Sequence, residues 1–212
     1  MALKIAQVTE LINNIANVIQ NNKEFLTELD SAIGDGDHGI NMSKGFKAVK
    51  EKLTTAKINT VGDILKTTGM ALVSNVGGAS GPLYGTAFMK ASSLVNKEEV
   101  NINDFIDMFQ AAIDGVKMRG KANRGDKTML DALEPALDVL REAKANGLDD
   151  ITALENMKNE ALKGVEYTKG IIAKKGRASY LGERSIGHQD PGATSSYLIL
   201  NEIYNYVLNN NK

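Results

Sequence analysis

The sequence predicts an all-α protein in which residues 1–212 form a single domain, a bundle of eight antiparallel helices. Three observations predict this class. Apolar residues recur at helical spacings of three and four, and no segment alternates convincingly as a strand would. The chain is 42% hydrophobic but only 5% aromatic, without tryptophan, which suits one aliphatic core. No linker or low-complexity tract interrupts it, and short connections favour antiparallel neighbours.

Eight helical segments follow one another along the chain. The first carries an apolar stripe from Val8 to Leu29 and runs directly into a loop rich in aspartate. The sixth contains Pro135, where we expect a kink. The seventh is the longest and stops before Gly176. The segments cover approximately residues 5–29, 39–53, 60–75, 82–95, 101–120, 128–145, 149–174 and 190–207.

Side chains that can cap a helix precede most of these segments. Such side chains accept hydrogen bonds from the free N–H groups of the first turn. Pro82 and Pro191 suit the first turn of the fourth and eighth segments, where their missing N–H costs nothing. The candidate caps are Thr60 for the third segment, Asn101 or Asn103 for the fifth, Thr128 with Asp131 for the sixth and Asp149 or Asp150 for the seventh; the eighth starts at Asp190 and Pro191.

The connections after the first, third, fifth and seventh helices are unusual, whereas the others are ordinary polar turns. The unusual ones are rich in glycine and charge and cover residues 30–39, 75–81, 120–127 and 176–192. In an up-and-down bundle, alternate connections lie at the same end. We therefore predict one functional site in the loops at one end of the bundle.

The first of these loops places Asp30, Asp35 and Asp37 within eight positions. Carboxylates this close disfavour one another's ionisation unless a cation lies between them. Hard divalent ions such as Mg²⁺ prefer this all-oxygen ligand set. Gly34 and Gly36 allow the backbone to turn tightly enough to bring the carboxylates together. A solvated turn of aspartate and glycine is the alternative interpretation.

The other three loops suit phosphate. Residues 77–81 are rich in glycine and lead into a helix N-terminus, which offers free N–H groups to an anion. The fifth loop holds five cations between Lys117 and Lys127. The seventh supplies Arg177 and Arg184, and arginine makes bidentate contacts with phosphate. Together the four loops predict a metal–nucleotide site, and phosphoryl transfer needs chiefly the positioning and charge neutralisation that they provide.

Composition excludes several other classes. A net charge of −1 argues against a general binder of nucleic acid or membrane surfaces. The chain has no cysteine, so it has neither disulfides nor thiolate chemistry. It shows no signal-peptide core and no apolar run of membrane-spanning length. We therefore expect a cytoplasmic protein.

Four motifs, in order, resemble the nucleotide-binding L subunit of dihydroxyacetone kinases. They are Ile33–Gly39 (IGDGDHG), Gly77–Gly85 (GGASGPLYG), Gly125–Asp131 (GDKTMLD) and Gly176–Ala193 (GRASYLGERSIGHQDPGA). The resemblance spans nearly the whole chain, and it implies a barrel of eight antiparallel helices. Related fatty-acid kinase subunits usually carry threonine after the Asp-Gly-Asp loop, and His38 favours the dihydroxyacetone branch.

The resemblance implies a site and partners. Asp30, Asp35 and Asp37 would hold two Mg²⁺ ions at the phosphates of ADP, or of ATP once it is phosphorylated. A phosphohistidine donor M subunit of the sugar phosphotransferase system would recharge the ADP, and a separate K subunit would hold dihydroxyacetone. An ATP-dependent kinase with exchangeable nucleotide, or a non-catalytic regulator that binds a transcription factor, are the alternatives. The nucleotide-lining residues implied are His38, Gly39, Ile40, Asn41, Ala79, Ser80, Gly120, Met129, Arg177, Asp190, Pro191 and Gly192.

Overall fold

The computed structural model describes residues 2–210, so positions 1, 211 and 212 of the predicted domain lie outside it. Within that range the chain forms nine α-helices, one 3₁₀ helix and two short strands. The α-helices are α1 (Ile5–Asn21), α2 (Lys23–Ile33), α3 (His38–Thr55), α4 (Val61–Asn75), α5 (Ser80–Ser92), α6 (Ile102–Gly120), α7 (Leu130–Ala145), α8 (Asp150–Lys169) and α9 (Pro191–Asn210). The 3₁₀ helix is Arg177–Ser185, and the strands are β1 (Ala2–Lys4) and β2 (Glu99–Asn101).

From α3 onward, successive α-helices pack against one another; α9 also packs against α1, and α1 packs against α3. The predicted all-helical class is therefore confirmed. The predicted count of eight is not, and the described helices form a bundle, not a closed barrel.

The extra helix arises because the first predicted segment breaks at Asn22. The backbone there leaves helical geometry (φ −101°, ψ 14°), and the Asn22 side-chain amide donates to the Val18 carbonyl at 2.8 Å. Asparagine competes for backbone groups in this way, which is why it favours helix ends. The chain then re-enters a helix that continues to Ile33. Asp30 consequently lies on the last turns of α2, not in a loop.

The predicted caps confirm most of the other boundaries. Thr60 Oγ1 accepts from the Asp63 N–H at 3.1 Å, and the Asp63 carboxylate accepts from the Thr60 N–H at 2.9 Å. Asn101 and Asp104 make the same reciprocal pair at the start of α6. Such caps stabilise a helix by about 1 kcal/mol. Asp149 caps α8, but that helix ends at residue 169, five residues before its predicted end.

Two strands were not predicted from the sequence. β1 and β2 pair antiparallel with Leu3 opposite Val100, and the Ile5 N–H donates to the Glu98 carbonyl at 3.0 Å. Three residues are too few to show a strand's alternation, which explains the omission. The pair fastens the start of α1 to the connection between α5 and α6.

The core is aliphatic, as the composition predicts. Side chains such as Ile15, Leu26 and Met42 are almost completely buried, and each contributes about 1.5–3 kcal/mol relative to exposure. An apolar cavity of about 170 Å³ lies among α1, α5, α6 and α9, next to residues such as Leu11 and Phe109. Among residues 2–210, every helix is too short or too polar to cross a bilayer.

Candidate functional site

The four unusual loops surround a single cavity of about 850 Å³. One wall is the end of α2 with the loop before α3, and the next is the glycine loop before α5. The loop between α6 and α7 and the long segment between α8 and α9 complete it. The prediction that these loops gather at one end is therefore confirmed, because alternate connections of the bundle do share an end.

Most of the residues predicted for the site line this cavity. Three do not: Gly39, Ile40 and Asn41 lie on the first turn of α3, beside the cavity. Gly39 is buried close to the Lys23 carbonyl, where a Cβ would collide with it, and Ile40 is half exposed. The predicted residues that line the cavity are Asp30, Asp35, Asp37, His38, Ala79, Ser80, Gly120, Met129, Arg177, Asp190, Pro191 and Gly192.

The three aspartates converge as predicted. Asp30, Asp35 and Asp37 each present a carboxylate oxygen within 4.8 Å of the others. Asp30 is held in place because its Oδ2 accepts the N–H groups of Asp37 at 2.8 Å and His38 at 3.2 Å. Burial and the neighbouring carboxylates of Asp35 and Asp30 raise the pKa of Asp37 above its usual range. A divalent cation at this all-oxygen cluster would relieve that repulsion, so the residues fit such an ion.

Arg177 joins the long α8–α9 segment to the aspartate cluster. Its Nε lies 2.8 Å from Asp35 Oδ2, while the side chain remains 70% exposed. Gly176 directly before it adopts a positive φ of 64°, which glycine tolerates best. Arg177 is therefore anchored at one carboxylate and remains open to the solvent side of the cavity. Sequence alone indicated an arginine here but not its contact with Asp35.

His38 lies at the centre of a buried polar network. Its Nδ1 lies 3.0 Å from Ser80 Oγ, and its Nε2 lies 2.9 Å from Ser195 Oγ. Burial lowers the pKa of the His38 imidazole to about 4, so the ring is neutral at pH 7. Tyr84 Oη lies 2.7 Å from Ser195 Oγ and 2.8 Å from Ser196 Oγ, and burial raises its pKa to about 12.

Tyr84 and Ser195 were not predicted as site residues. A signal for Tyr84 exists in the sequence, because it follows Ser80 by four positions and so lies on the same face of α5. Ser195 carries no comparable signal. Its contact with His38 joins positions 157 residues apart, so only the fold brings them together.

Lys127 differs most from its predicted environment. The sequence placed it among solvated cations of the fifth loop, but its side chain is only 1% exposed. Its ammonium donates to the backbone carbonyls of Thr168 and His188 and lies 3.4 Å from that of Ile171. Burial lowers its pKa, and the nearby carboxylates of Asp190 and Asp131 oppose that shift. Lys127 thus fastens the fifth loop to both ends of the α8–α9 segment.

Two other cations of the fifth loop form ion pairs with carboxylates of α7. Lys117 lies 3.0 Å from Glu134 on α7, and Arg124 lies 3.5 Å from Asp138 on the same helix. Arg119 is exposed and lines the cavity. The fifth loop is therefore a less open basic surface than its composition indicates.

Asp190 lines the cavity directly before the start of α9. Its Oδ2 accepts the Ala193 N–H at 2.7 Å and so caps α9, which begins where the sequence predicts. Burial raises the pKa of Asp190 to about 7, and the Asp131 carboxylate adds to the shift while Lys127 opposes it. A Cβ at Gly192 would lie 3.0 Å from Asp190 Oδ2 and 3.7 Å from the Met129 Cβ. Glycine at this position therefore keeps the end of α9 accessible to a ligand.

The sequence is similar to characterised kinase subunits. The profile of the DAK2 domain matches residues 32–205. The PEP-dependent dihydroxyacetone kinase ADP-binding subunit DhaL of Escherichia coli is 45% identical over 196 residues, which are 92% of this chain and 93% of that protein. The PTS-dependent dihydroxyacetone kinase ADP-binding subunit DhaL of Lactococcus lactis is 40% identical over 205 residues, 97% of this chain and 99% of that protein.

Solved structures share the fold at lower identity. The native dihydroxyacetone kinase of C. freundii superposes with a TM-score of 0.73 at 22% identity, over 96% of this chain. The same kinase in complex with AMP-PNP and Mg²⁺ gives a TM-score of 0.70 at 23% identity, over 97% of this chain. In both comparisons this chain spans about a third of the kinase, 35% and 34% respectively.

Proposed function

The chain belongs to the DAK2-domain family, and from this we propose that it is the ADP-binding subunit of a dihydroxyacetone kinase supplied with phosphate by the phosphotransferase system. The relatives from E. coli and L. lactis carry that description, and each match runs over nearly the full length of both chains. The observation that supports the chemistry is the cavity itself, in which a carboxylate cluster faces a glycine-rich helix start and an arginine.

In this proposal Asp30, Asp35 and Asp37 hold two Mg²⁺ ions that bind the nucleotide phosphates. One carboxylate oxygen from each aspartate lies within 4.8 Å of the other two, which suits shared ligation of closely spaced ions. Asp30 keeps its orientation because two backbone N–H groups already bind its Oδ2. The cluster is thus preorganised, and binding does not have to order it first.

The phosphates would lie between the aspartates and the start of α5. Gly78 has a positive φ of 63°, and a Cβ there would lie 3.8 Å from Asp37 Oδ2, so the two walls approach closely. The N–H groups of the first turn and the helix dipole favour an anion at Ala79 and Ser80. Gly120, Met129 and Gly192 also line the cavity, and the nucleoside would lie against them.

When bound, the nucleotide would serve as the phosphate carrier, because ADP can take up a phosphoryl group and release it again. The protein supplies position and charge. Arg177 already lies at the carboxylate cluster, and its exposed guanidinium can make a bidentate contact with a phosphoryl group during transfer. His38 is neutral and bound by two hydroxyl groups, which suits a structural part in the site more than a phosphate acceptor.

Two partner subunits follow from this proposal. A K subunit would present dihydroxyacetone at the mouth of the cavity, and a phosphohistidine M subunit would approach the same opening. The exposed side chains around that opening include Tyr180, which is 86% exposed, together with Arg119 and Arg177. One opening would therefore serve donor and acceptor in turn.

Reconstitution tests the proposal. The purified chain is combined with the K subunit, dihydroxyacetone and either a phosphohistidine donor or ATP, and formation of dihydroxyacetone phosphate is measured. We expect turnover with the phosphohistidine donor and little with ATP alone. Fast turnover on ATP with only the K subunit present would instead favour an ordinary kinase with exchangeable nucleotide. A chain without activity under either condition that binds a transcription factor would favour a regulator.

A further inference from the structure

Thr168, on the last turn of α8, contacts two walls of the cavity without lining the cavity itself. Its side chain is fully buried. Its backbone carbonyl accepts a hydrogen bond from the Lys127 ammonium of the fifth loop. Its hydroxyl oxygen accepts the N–H of Asp190, the residue directly before α9, at 2.9 Å. One residue of α8 therefore joins the fifth loop to the start of α9.

The direction of the hydrogen bonds at the Thr168 hydroxyl is unambiguous. A threonine hydroxyl has one O–H and two acceptor lone pairs. The Val165 carbonyl can only accept, and the Thr168 O–H donates to it at 2.6 Å. The Asp190 N–H can only donate, so it takes a lone pair of the same oxygen. The hydroxyl is thus fixed from both sides, and it has one role at each partner.

The two walls that Thr168 joins come into contact a little further along the chain. Met129 lies just after Lys127, and Gly192 lies just after Asp190. A Cβ at Gly192 would lie 3.7 Å from both the N and the Cβ of Met129, which is van der Waals distance. Met129 and Gly192 both line the cavity. The link at Thr168 therefore bears on how these two cavity residues lie relative to each other.

Each wall is also braced within itself. Asp190 Oδ2 accepts the Ala193 N–H at 2.7 Å, which ties Asp190 to the first turn of α9. In the other wall, Asp131 Oδ2 accepts the Thr128 N–H at 2.8 Å, which ties the end of the fifth loop to α7. A displacement of Asp190 would consequently carry Gly192 with it instead of being absorbed inside the wall.

We infer that Thr168 is a positioning residue of the nucleotide site, whose hydroxyl holds the start of α9 at the distance from the fifth loop that suits the nucleoside. The role rests on the proposed function, in which the nucleoside lies against Met129 and Gly192. Thr168 acts through Asp190 and does not itself line the cavity. In the same proposal the phosphates are held by other walls, the aspartate cluster and the start of α5.

This division between nucleoside and phosphate makes the role testable. Protein freed of nucleotide by chelation is supplied with Mg²⁺, and calorimetry measures its affinity for ADP and for inorganic pyrophosphate. Thr168→Val keeps the size and the β-branch of the side chain but removes the hydroxyl. We expect this variant to bind ADP about two- to tenfold more weakly, the size of one neutral hydrogen bond, and to bind pyrophosphate as wild type does.

Two further variants separate positioning from general stability. Thr168→Ser restores the hydroxyl and should restore the affinity for ADP. Tyr206→Phe is the matched control, because Tyr206 is buried and its hydroxyl donates to Glu10 at 2.8 Å near the other end of α9. This control loses one hydrogen bond outside the cavity, so it should lower the melting temperature and leave the affinity for ADP unchanged. Thermal unfolding of each variant gives the stability against which its affinity is compared.

Hydrogen exchange in the wild-type protein tests the hydrogen bond itself, even if Thr168→Val does not fold. We expect the Asp190 amide to exchange slowly, because its N–H is held by the buried Thr168 hydroxyl. Exchange of this amide at the rate of an exposed loop amide would overturn the role of Thr168, whatever the variants do.

The binding results separate this role from the proposed function. The role of Thr168 alone is wrong if wild-type protein binds ADP and Thr168→Val binds it equally well. It is also wrong if Thr168→Val loses affinity for ADP and pyrophosphate to the same extent, or if Thr168→Ser does not recover ADP binding. If wild-type protein binds neither ligand at any Mg²⁺ concentration, the proposed function fails, and the role of Thr168 fails with it.

Discussion

Replacement of Lys127 by methionine should destabilise the protein strongly although position 127 lies in the loop between α6 and α7. Methionine keeps most of the aliphatic stem and removes the ammonium group. The carbonyls of Thr168 and His188 then lose their charged donor. Hydrogen bonds to charged groups are worth roughly 1.5–3 kcal/mol each. The carboxylates of Asp131 and Asp190 also lose their nearby positive charge.

One effect opposes this loss. An ammonium group pays a desolvation cost of several kcal/mol on burial, and methionine avoids it. The balance of these effects gives an expected decrease of about 2–4 kcal/mol in the free energy of unfolding. Because Lys127 fastens both ends of the α8–α9 segment, the variant should also release ADP faster.

Urea unfolding followed by circular dichroism measures the first effect. Lys163→Met is the control, because Lys163 is 74% exposed and pairs with Glu160 within its own helix. A surface change of this kind should alter the unfolding free energy by less than about 0.5 kcal/mol. If Lys127→Met differs from wild type by no more than this control does, the fastening role assigned to Lys127 is wrong.

Three further predictions concern the cavity. Asp37→Asn should abolish ADP retention at limiting Mg²⁺ while leaving the helical circular dichroism intact; unchanged binding by isothermal titration would contradict the metal assignment. Arg177→Lys keeps the charge but loses the planar fork, so it should slow phosphate transfer more than it changes the melting temperature; normal transfer by both Arg177→Lys and Arg177→Ala would place the residue outside the reaction. Burial lowers the pKa of His38 from 6.5 to about 4, so the unfolded chain binds more protons than the native chain between these two pH values. The contribution of His38 to the free energy of unfolding is therefore complete above pH 6.5 and declines as the pH falls toward 4. A pH series of unfolding free energies should show a smaller decline for His38→Asn than for wild type.

Much of the fold could be predicted because its signals are local. Capping residues such as Thr60 and Asn101 define helix starts through contacts three residues away, and these starts are correct. The gathering of the functional loops followed from counting antiparallel helices. The break at Asn22 was missed because the apolar stripe continues through it on both sides.

Contacts between residues far apart in the sequence could not be predicted. Lys127 is charged, and a charged residue in a loop is usually solvated; only the fold brings the carbonyls of residues 168 and 188 to it. The same holds for Ser195, whose hydroxyl reaches His38 across the bundle. The aspartates were predictable because all three lie within eight positions, and their chemistry is evident from their type and spacing.

In the proposed function these loops hold ADP through a carboxylate-bound metal as a fixed carrier of phosphate. Mass spectrometry of the nucleotide released from the purified protein after gel filtration tests it most directly, with a parallel sample treated with a chelator of divalent ions. We predict close to one ADP per chain in the untreated sample and loss of that ADP after chelation, because the aspartates cannot hold the phosphates without a cation between them. Isolation of the untreated protein free of nucleotide, or retention of ADP after complete removal of divalent ions, would contradict the proposed function.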